Sequence, residues 1–297
     1  MNERRSGTVI SRLTGGWWRR RTPTTVSGVL AICGVLAAAL APARTGAAEL
    51  LAGAAIVDIT PDVKASKIPL GGYAARRGAP ATGVHDRVYA RALALSSGRT
   101  RVAIVSIDLC FLPANVKQEV YRRVKAQAPE WEADQLFLAA THTHSGPDPL
   151  AMHTGNTFKL KGWTPFDAQL LSFTTERIAS AIVKAGRAMR PAAISATAAP
   201  VTGLNRNRRG EPTTDPMLTA IKVTGADGKP IAEIVDFASH PTLYGDEMTQ
   251  VSADWPGIME ADVQTATGGD SVCLFLNGAE GDASPAGVDS EKGDEKV

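Results

Sequence analysis

The chain has 297 residues, with 32 basic and 30 acidic side chains and three cysteines. Seven of the basic residues and one acid lie in the first 48 residues, so the remainder carries a net charge near −4. This balance excludes a nucleic-acid partner bound through a basic surface. Cys110 and Cys273, each inside an apolar run, are expected to be buried free thiols rather than a disulfide framework.

The first 48 residues predict a secretory signal peptide. An arginine-rich start is followed by the uncharged run "TPTTVSGVLAICGVLAAALAPA" and by small residues before an expected cleavage after Ala48. A transmembrane anchor is the alternative, but the apolar run is short for a full span. We therefore expect a secreted or periplasmic protein in which residues 49–297 form one large domain.

Strands and helices alternate past Ala48. The predicted elements are a strand at 52–60, a hairpin over 87–108, a helix over 114–128, a strand running into "LFLAATHTH", a helix over 166–189, strands at 192–201, 217–224 and 231–239, a helix opening near "ADWPGIMEADVQ", and a buried strand in "SVCLFLNG". Interleaved strands and helices with two hairpins predict an α/β domain with a mixed β-sheet.

Polar side chains follow four of these strands. Asp108 ends one strand, His142 and His144 end the next, His240 ends a third, and the turn "NGAEGDASP" follows the last. Ligands of α/β sheets bind in the crevice outside the carboxyl ends of the strands. The sequence therefore predicts an active site at the strand C-terminal ends.

The histidines favour a metal site at that edge. Residues two apart in a strand face the same side, so His142 and His144 can point into one site. Neutral imidazole is a common metal ligand, and catalytic zinc usually takes three protein ligands. His240 is placed equivalently, and Asp108 can orient a bound histidine or form a turn. The alternative is a His-x-His pair that caps a strand at the surface.

Two further segments carry reactive groups. The glycine-rich turn "NGAEGDASP" can hold Ser284 and backbone amide donors close to a substrate, or it can begin a helix. The loop "GLNRNRRGEPTTDP" contains Arg206, Arg208 and Arg209. One of these arginines can bind a carboxylate or a developing oxyanion, or the cluster is a solvated loop. Asp254, before a Trp-Pro pair, is interpreted as a helix N-cap.

Taken together, these motifs resemble the neutral/alkaline (non-lysosomal) ceramidases, specifically the N-terminal catalytic domain of an exported bacterial member. The matching segments, in family order, are "AAIVDITP", "GGYAARR", "GVHDRVYARAL", "VAIVSIDLCFL", "ATHTHSGP", "LNRNRR", "FASHPT", "SADWPG" and "NGAEGDASP". They cover most of residues 52–286, and "THTHSGP" and "GDASP" are the most specific of them.

The resemblance implies a zinc-dependent amide hydrolase that cleaves the N-acyl linkage of ceramide or a related lipid amide to a fatty acid and a sphingoid amine. It implies that His142 and His240 are zinc ligands and that Ser284, His144 and Arg206 are catalytic residues. A lipid substrate is compatible with peripheral contact at a membrane surface, and the sequence does not define an oligomeric state.

The resemblance also implies a glutamate and a tyrosine, downstream of "GDASP", that complete the zinc site. The chain reaches Val297 soon after this turn, and Glu280 and Tyr244 lie outside the matching segment. We therefore expect a catalytic domain that is incomplete at its C-terminus. Two other functions stay open: an exported zinc amidase acting on a non-lipid amide, and a non-catalytic binding protein that retains the fold.

Overall fold

The computed structural model describes residues 49–156 and 164–287, so the predicted signal peptide lies outside the described residues. The strands are β1 (Leu50–Asp58), β2 (Gly83–Val84), β3 (Tyr89–Ser97), β4 (Thr100–Ile107), β5 (Leu136–Ala140), β6 (Arg190–Pro200), β7 (Asn205–Asn207), β8 (Met217–Gly225), β9 (Pro230–Phe237), β10 (Gln250–Val251), β11 (Val272–Asn277) and β12 (Ala283–Pro285). The α-helices are α1 (Ala114–Gln127), α2 (Ala168–Arg187) and α3 (Asp254–Ala266).

Eight strands form one mixed sheet in the order β11-β9-β8-β6-β1-β3-β4-β5. β4 pairs with β5 in parallel, β9 pairs with β11 in parallel, and the other neighbours are antiparallel. Two short pairs, β2 with β10 and β7 with β12, lie beside this sheet. The predicted α/β fold with a mixed sheet is confirmed.

The predicted hairpin forms over β3 and β4. Its register pairs Ser97 with Thr100, which leaves a two-residue turn. Gly98 in that turn has a φ of 59°, a left-handed conformation that glycine adopts without a steric penalty. The turn therefore fixes the register of β4 against β3. Because β4 and β5 are parallel, their carboxyl ends lie at the same edge of the sheet.

Two hydrophobic clusters make the core. In the first, α1 contributes Val116, Val120 and Val124 at helical spacing, and α2 packs on β1 and β3. The second joins Leu93 of β3 to Leu274 of β11, because one half of the sheet folds over the other. This overlap brings the carboxyl ends of β5, β9 and β11 together. In the part of the chain that is described, no helix is both long enough and apolar enough to cross a membrane.

Helix α3 begins in a way that the sequence analysis did not predict. The N-cap position is Ala253, and Asp254 has a φ of 60°. The Asp254 carboxylate accepts hydrogen bonds from the backbone nitrogens of Leu243 at 3.1 Å, Tyr244 at 3.2 Å and Trp255 at 2.7 Å. The predicted N-cap role of Asp254 is therefore wrong: this side chain fastens the loop after β9 to the start of α3.

Candidate metal centre

Three histidines meet at the carboxyl ends of the strands. His142 and His144 follow β5, and His240 follows β9. The ring centroid of His142 lies 4.9 Å from that of His144 and 4.8 Å from that of His240, and the His144 and His240 centroids are 5.7 Å apart. Nε2 of His144 is 3.3 Å from Nε2 of His142. The structure thus brings together the three histidines that the sequence placed in one site.

The local backbone differs from the predicted strand pattern. β5 ends at Ala140, and His142 has a φ of 71°, in the left-handed region that residues other than glycine seldom adopt. The backbone nitrogen of His142 donates to the carbonyl of Leu109 at 2.9 Å. A turn after the strand, rather than side-chain alternation along it, therefore aims the two rings at one point. Unusual φ values of this kind are common at functional sites.

Hydrogen bonds to Nδ1 distinguish two of the histidines from the third. Nδ1 of His142 contacts the carbonyl oxygen of Cys110 at 2.5 Å, and Nδ1 of His240 contacts that of Glu280 at 2.8 Å. An Nδ1–H that donates to a carbonyl leaves Nε2 as the free acceptor, which is the usual arrangement of metal-binding histidines. Nδ1 of His144 is buried and has no hydrogen-bond partner among the described residues. These contacts fit His142 and His240 as ligands and a different task for His144.

Glu280 is a site residue that the sequence analysis set aside. Its Oε1 lies 3.6 Å from Nε2 of His142, and its Oε2 lies 3.8 Å from Nδ1 of His240. Asn277, at the end of β11, donates from Nδ2 to Oε2 of Glu280 and, at 3.1 Å, to the carbonyl of Thr141. Its position in the sequence could have indicated a role in the site, because Glu280 comes three residues after a buried strand that ends at the same edge as the histidines.

Burial keeps the three rings neutral. It lowers the pKa of His144 to about 3 and that of His240 to about 4, and it also lowers the pKa of His142. The positive charge of Arg208 adds to the lowering at all three rings. Burial raises the pKa of Glu280 to about 7. Neutral imidazole is the form that binds a metal ion, and two such rings beside a carboxylate fit zinc.

Arg206, on β7, and Arg208, in the turn after it, contact different parts of the site. Arg206 lies on β7 directly opposite Ser284 of β12. Arg208 donates from Nε to the carbonyl of Gly281 at 3.0 Å and from its backbone nitrogen to Asp282 at 2.8 Å. The charge of Arg208 reaches the histidines, so the structure adds this arginine to the site beside the predicted Arg206.

Ser284 is buried, and its Oγ has no hydrogen-bond partner among the described residues. The preceding residue, Ala283, accepts a hydrogen bond from the backbone nitrogen of His240 at 3.0 Å. The turn "NGAEGDASP" leads into β12, so its interpretation as a helix start is wrong for the residues that are described. The turn instead places Ser284 in a strand that is bonded to the His240 loop.

Arg91, Asp108 and Glu260 form a second buried polar cluster. Nη1 of Arg91 is 2.9 Å from Oδ2 of Asp108 and 2.8 Å from Oε2 of Glu260, and all three side chains are almost fully buried. Oδ2 of Asp108 also accepts from the backbone nitrogen of Tyr89 at 2.7 Å. The interpretation of Asp108 as a partner that orients a histidine is therefore wrong. Backbone carbonyls orient the rings, and Asp108 belongs to this ion cluster.

The "GGYAARR" segment packs around His144. A Cβ atom at Gly72 would lie 2.4 Å from Cγ of His144, and the ring of Tyr73 meets the His144 ring edge-on at 4.7 Å. Arg76 donates to the carbonyl of His144 and, at 3.1 Å, to that of Gly245. This segment therefore packs directly against the His144 ring and binds its backbone.

The geometry agrees with comparisons to known proteins. Residues 50–295 match the family model described as neutral/alkaline non-lysosomal ceramidase, N-terminal. The neutral ceramidase of Pseudomonas aeruginosa is 27% identical over 279 residues, which cover 87% of this chain and 40% of that protein. Neutral ceramidase B of Dictyostelium discoideum is 30% identical over 260 residues, 78% of this chain and 35% of that protein. The chain spans less than half the length of these relatives.

A solved structure supports the same relationship at the level of the fold. The crystal structure of neutral ceramidase from Pseudomonas aeruginosa superimposes with a TM-score of 0.71 at 23% sequence identity. The match covers 80% of this chain and 40% of that one. The mixed-sheet architecture is therefore shared with that structure.

Proposed function

The chain belongs to the neutral/alkaline non-lysosomal ceramidase family, and from this premise we propose that it is a zinc-dependent hydrolase of the N-acyl amide of ceramide or a related lipid amide. The products are a fatty acid and a sphingoid amine. The observation that carries the proposal is the meeting of His142, His144 and His240 at one sheet edge, with two of the rings already oriented as metal ligands.

His142 and His240 are assigned as zinc ligands through Nε2. Their Nδ1 atoms are committed to backbone carbonyls, which fixes the orientation of each ring before a metal ion binds. When bound there, zinc supplies Lewis acidity that polarises the amide carbonyl of the substrate.

His144 is assigned as a hydrogen-bond donor to the substrate oxygen on which negative charge develops. Its Nδ1 is buried without a partner among the described residues, and a bare acceptor is less costly there than an unpaired N–H. The favoured tautomer therefore carries its proton on Nε2, which lies 3.3 Å from Nε2 of His142. Because burial lowers the pKa of His144 to about 3, the ring donates this hydrogen bond as a neutral group over the physiological range and keeps its proton.

Ser284 and Arg206 complete the proposed machinery. The Ser284 hydroxyl is buried with unused hydrogen-bonding capacity among the described residues, and we assign it to the substrate as the nucleophile or as the group that orients the attack. Arg206 stands directly across the β7–β12 pair from Ser284 and is assigned to the site wall beside it.

Export and membrane contact belong to the same proposal. The arginine-rich start and apolar run within residues 1–48 support a signal peptide and a secreted or periplasmic location. A ceramide-like substrate resides in a lipid phase, so the protein would meet it by peripheral contact with a membrane surface.

The test measures zinc content and fatty-acid release from an N-acylsphingosine in detergent micelles. The wild-type chain should bind about one zinc ion and release fatty acid, and His142→Ala should lose both, because a ligand nitrogen is removed. His153→Ala, at an exposed histidine outside the site, is the matched control and should retain both.

Equal turnover by the zinc-loaded and zinc-free proteins would overturn the proposal. Release of fatty acid from an N-acyl amino acid but not from an N-acylsphingosine would support the non-lipid amidase instead. Absence of turnover on both substrates by the full-length protein would support a binding protein that retains the fold.

A further inference from the structure

Glu280 reaches the histidines from a segment to which the family resemblance assigns no metal ligand. The resemblance takes its glutamate and tyrosine ligands from positions downstream of Ser284, whereas Glu280 precedes Ser284 in the turn after β11. The Glu280 side chain is 17% exposed, so its carboxylate is largely removed from water. A mostly buried carboxylate needs a partner of opposite charge or hydrogen-bond donors.

The contacts of Glu280 hold its carboxylate in place. Its carbonyl accepts from Nδ1 of His240, so the residue that orients this ring also presents a carboxylate beside it. Asn277 donates to the carboxylate and to the carbonyl of Thr141, and it accepts from the backbone nitrogen of Ser239 at 3.4 Å. Asn277, at the end of β11, is therefore hydrogen-bonded to the residues after β5 and β9 and to one oxygen of the Glu280 carboxylate. These hydrogen bonds to residues at the strand ends fix the Glu280 carboxylate, so it is not free to move as an exposed side chain would be.

The distance between Glu280 and His142 fits two ligands of one ion. With the proton of His142 on Nδ1, its Nε2 and Oε1 of an ionised Glu280 are both acceptors, and they face each other at 3.6 Å. That distance is beyond the hydrogen-bond range. Two ligand atoms on a tetrahedral zinc ion, with bonds of about 2.0–2.2 Å, are separated by about 3.4 Å.

A competing group of potential ligand atoms consists of Cys110, His142 and His144. Sγ of Cys110 lies 3.8 Å from Nδ1 of His142, the nitrogen that already contacts the Cys110 carbonyl. An ion bound to Nε2 of His142 therefore lies on the Glu280 side of the ring and not on the thiol side.

We propose that Glu280 is a zinc ligand, so that three residues of this chain, His142, His240 and Glu280, hold the ion. One potential ligand atom from each of these three residues lies within 4.8 Å of those of the other two. The inference rests on the zinc site of the proposed function and deepens it. Its consequence is that the residues of this chain form a three-ligand site, which binds zinc more tightly than two histidines would.

The experiment titrates zinc into the purified chain by calorimetry, with a competing chelator where binding is tight. Loss of a residue that merely supports a ligand usually costs 10- to 100-fold in metal affinity, so Glu280→Gln should cost about 100-fold or more. Glu211→Gln removes the same charge from an exposed loop glutamate and should leave the zinc affinity unchanged. Thermal melts without zinc establish that each variant is folded.

Glu280→Asp is the second variant, because it keeps the charge but shortens the side chain by one methylene, and it should weaken zinc binding less than Glu280→Gln does. Wild-type affinity in a folded Glu280→Gln would overturn the inference and leave the two-histidine site standing. Failure of the wild-type chain to bind zinc would instead overturn the zinc dependence of the proposed function, so the two failures are distinguishable.

Discussion

The candidate metal centre and the Arg91 cluster are both buried polar groups, but their charges are arranged differently. In the Arg91 cluster, a guanidinium lies between two carboxylates at 2.8 and 2.9 Å, so opposite charges are in direct contact. In the metal centre, neutral imidazoles face one another and a carboxylate. Buried charge that is balanced internally supports the fold, whereas converging acceptors mark a place where a cation or a substrate completes the group.

The largest expected effect comes from breaking the balanced cluster. Arg91→Met would leave Asp108 and Glu260 buried without a cation, and removal of one partner from a buried ion pair costs about 3–5 kcal/mol of unfolding free energy. Arg87→Met is the control, because Arg87 pairs with Asp58 at the surface and such pairs contribute at most about 1 kcal/mol. Urea denaturation at pH 9, above the pKa of Glu260, measures both. A loss no greater than that of Arg87→Met would show that Arg91 does not balance the cluster.

The same variant has a defined pH dependence. Burial raises the pKa of Asp108, and it raises that of Glu260 to about 8, above the ordinary value of 4.5. A carboxyl whose pKa is higher in the folded state favours folding more as pH falls from its folded-state pKa towards its unfolded-state pKa. Arg91 lowers both pKa values, so they lie higher still in Arg91→Met, and the deficit of this variant should shrink as pH falls towards 8 from the higher pKa that Glu260 has in the variant. A deficit that is constant from about pH 10 to about pH 8 would contradict the assignment of the loss to unpaired carboxylates.

Substitution of Ser284 or His144, whose buried polar atoms have no hydrogen-bond partner among the described residues, should lower the unfolding free energy less than Arg91→Met does. Turnover, in contrast, should fall strongly. Ser284→Ala and His144→Ala should each retain zinc, because neither removes an assigned ligand. Loss of one donor to a developing oxyanion reduces kcat by about 100- to 1,000-fold, which we expect for His144→Ala. Zinc content and kcat are measured on the same preparations. Loss of zinc from His144→Ala would make His144 a ligand, and full activity of Ser284→Ala would remove its catalytic role.

The smallest effect is expected for Cys110→Ser. Cys110 contacts His142 through its backbone carbonyl, which serine retains, and the thiol lies on the Nδ1 side of the ring. Zinc affinity should equal that of the wild-type chain in the same calorimetric titration. A fall comparable to that of Glu280→Gln would assign the ion to Cys110, His142 and His144.

The order of the strands and helices, and the sheet edge at which the site forms, could be predicted from the sequence. Apolar runs that end in His142 and His240 could be recognised locally, because each run and the polar residue after it are adjacent in the chain. The positive φ of His142 could not be predicted, since it depends on the bond to Leu109 and on the packing around it. Asp108 was misread because its partner, Arg91, lies on the neighbouring strand, 17 residues earlier.

Glu280 was set aside for a related reason. Its place after a buried strand is visible in the sequence, but its contact with the histidines depends on Asn277 and on the overlap of the two halves of the sheet, which leave no local pattern. Arg208 and Arg206 are equivalent as sequence, and the β7–β12 pairing and the contact of Arg208 with Gly281 distinguish them. Residue types and strand ends were therefore predictable, whereas the partners that select among similar side chains were not.

The amide of Asn277 joins residues that are 136 positions apart in the chain when it donates to Thr141. Contacts over such separations form late in folding, because the entropy of closing the loop is lost before the contact is gained. During synthesis, His142 would leave the ribosome long before the strand that supplies Asn277 and Glu280. Tight zinc binding would then appear only once β11 has docked, and because zinc would bind the completed sheet in preference to the unfolded chain, the ion would stabilise the last step of folding.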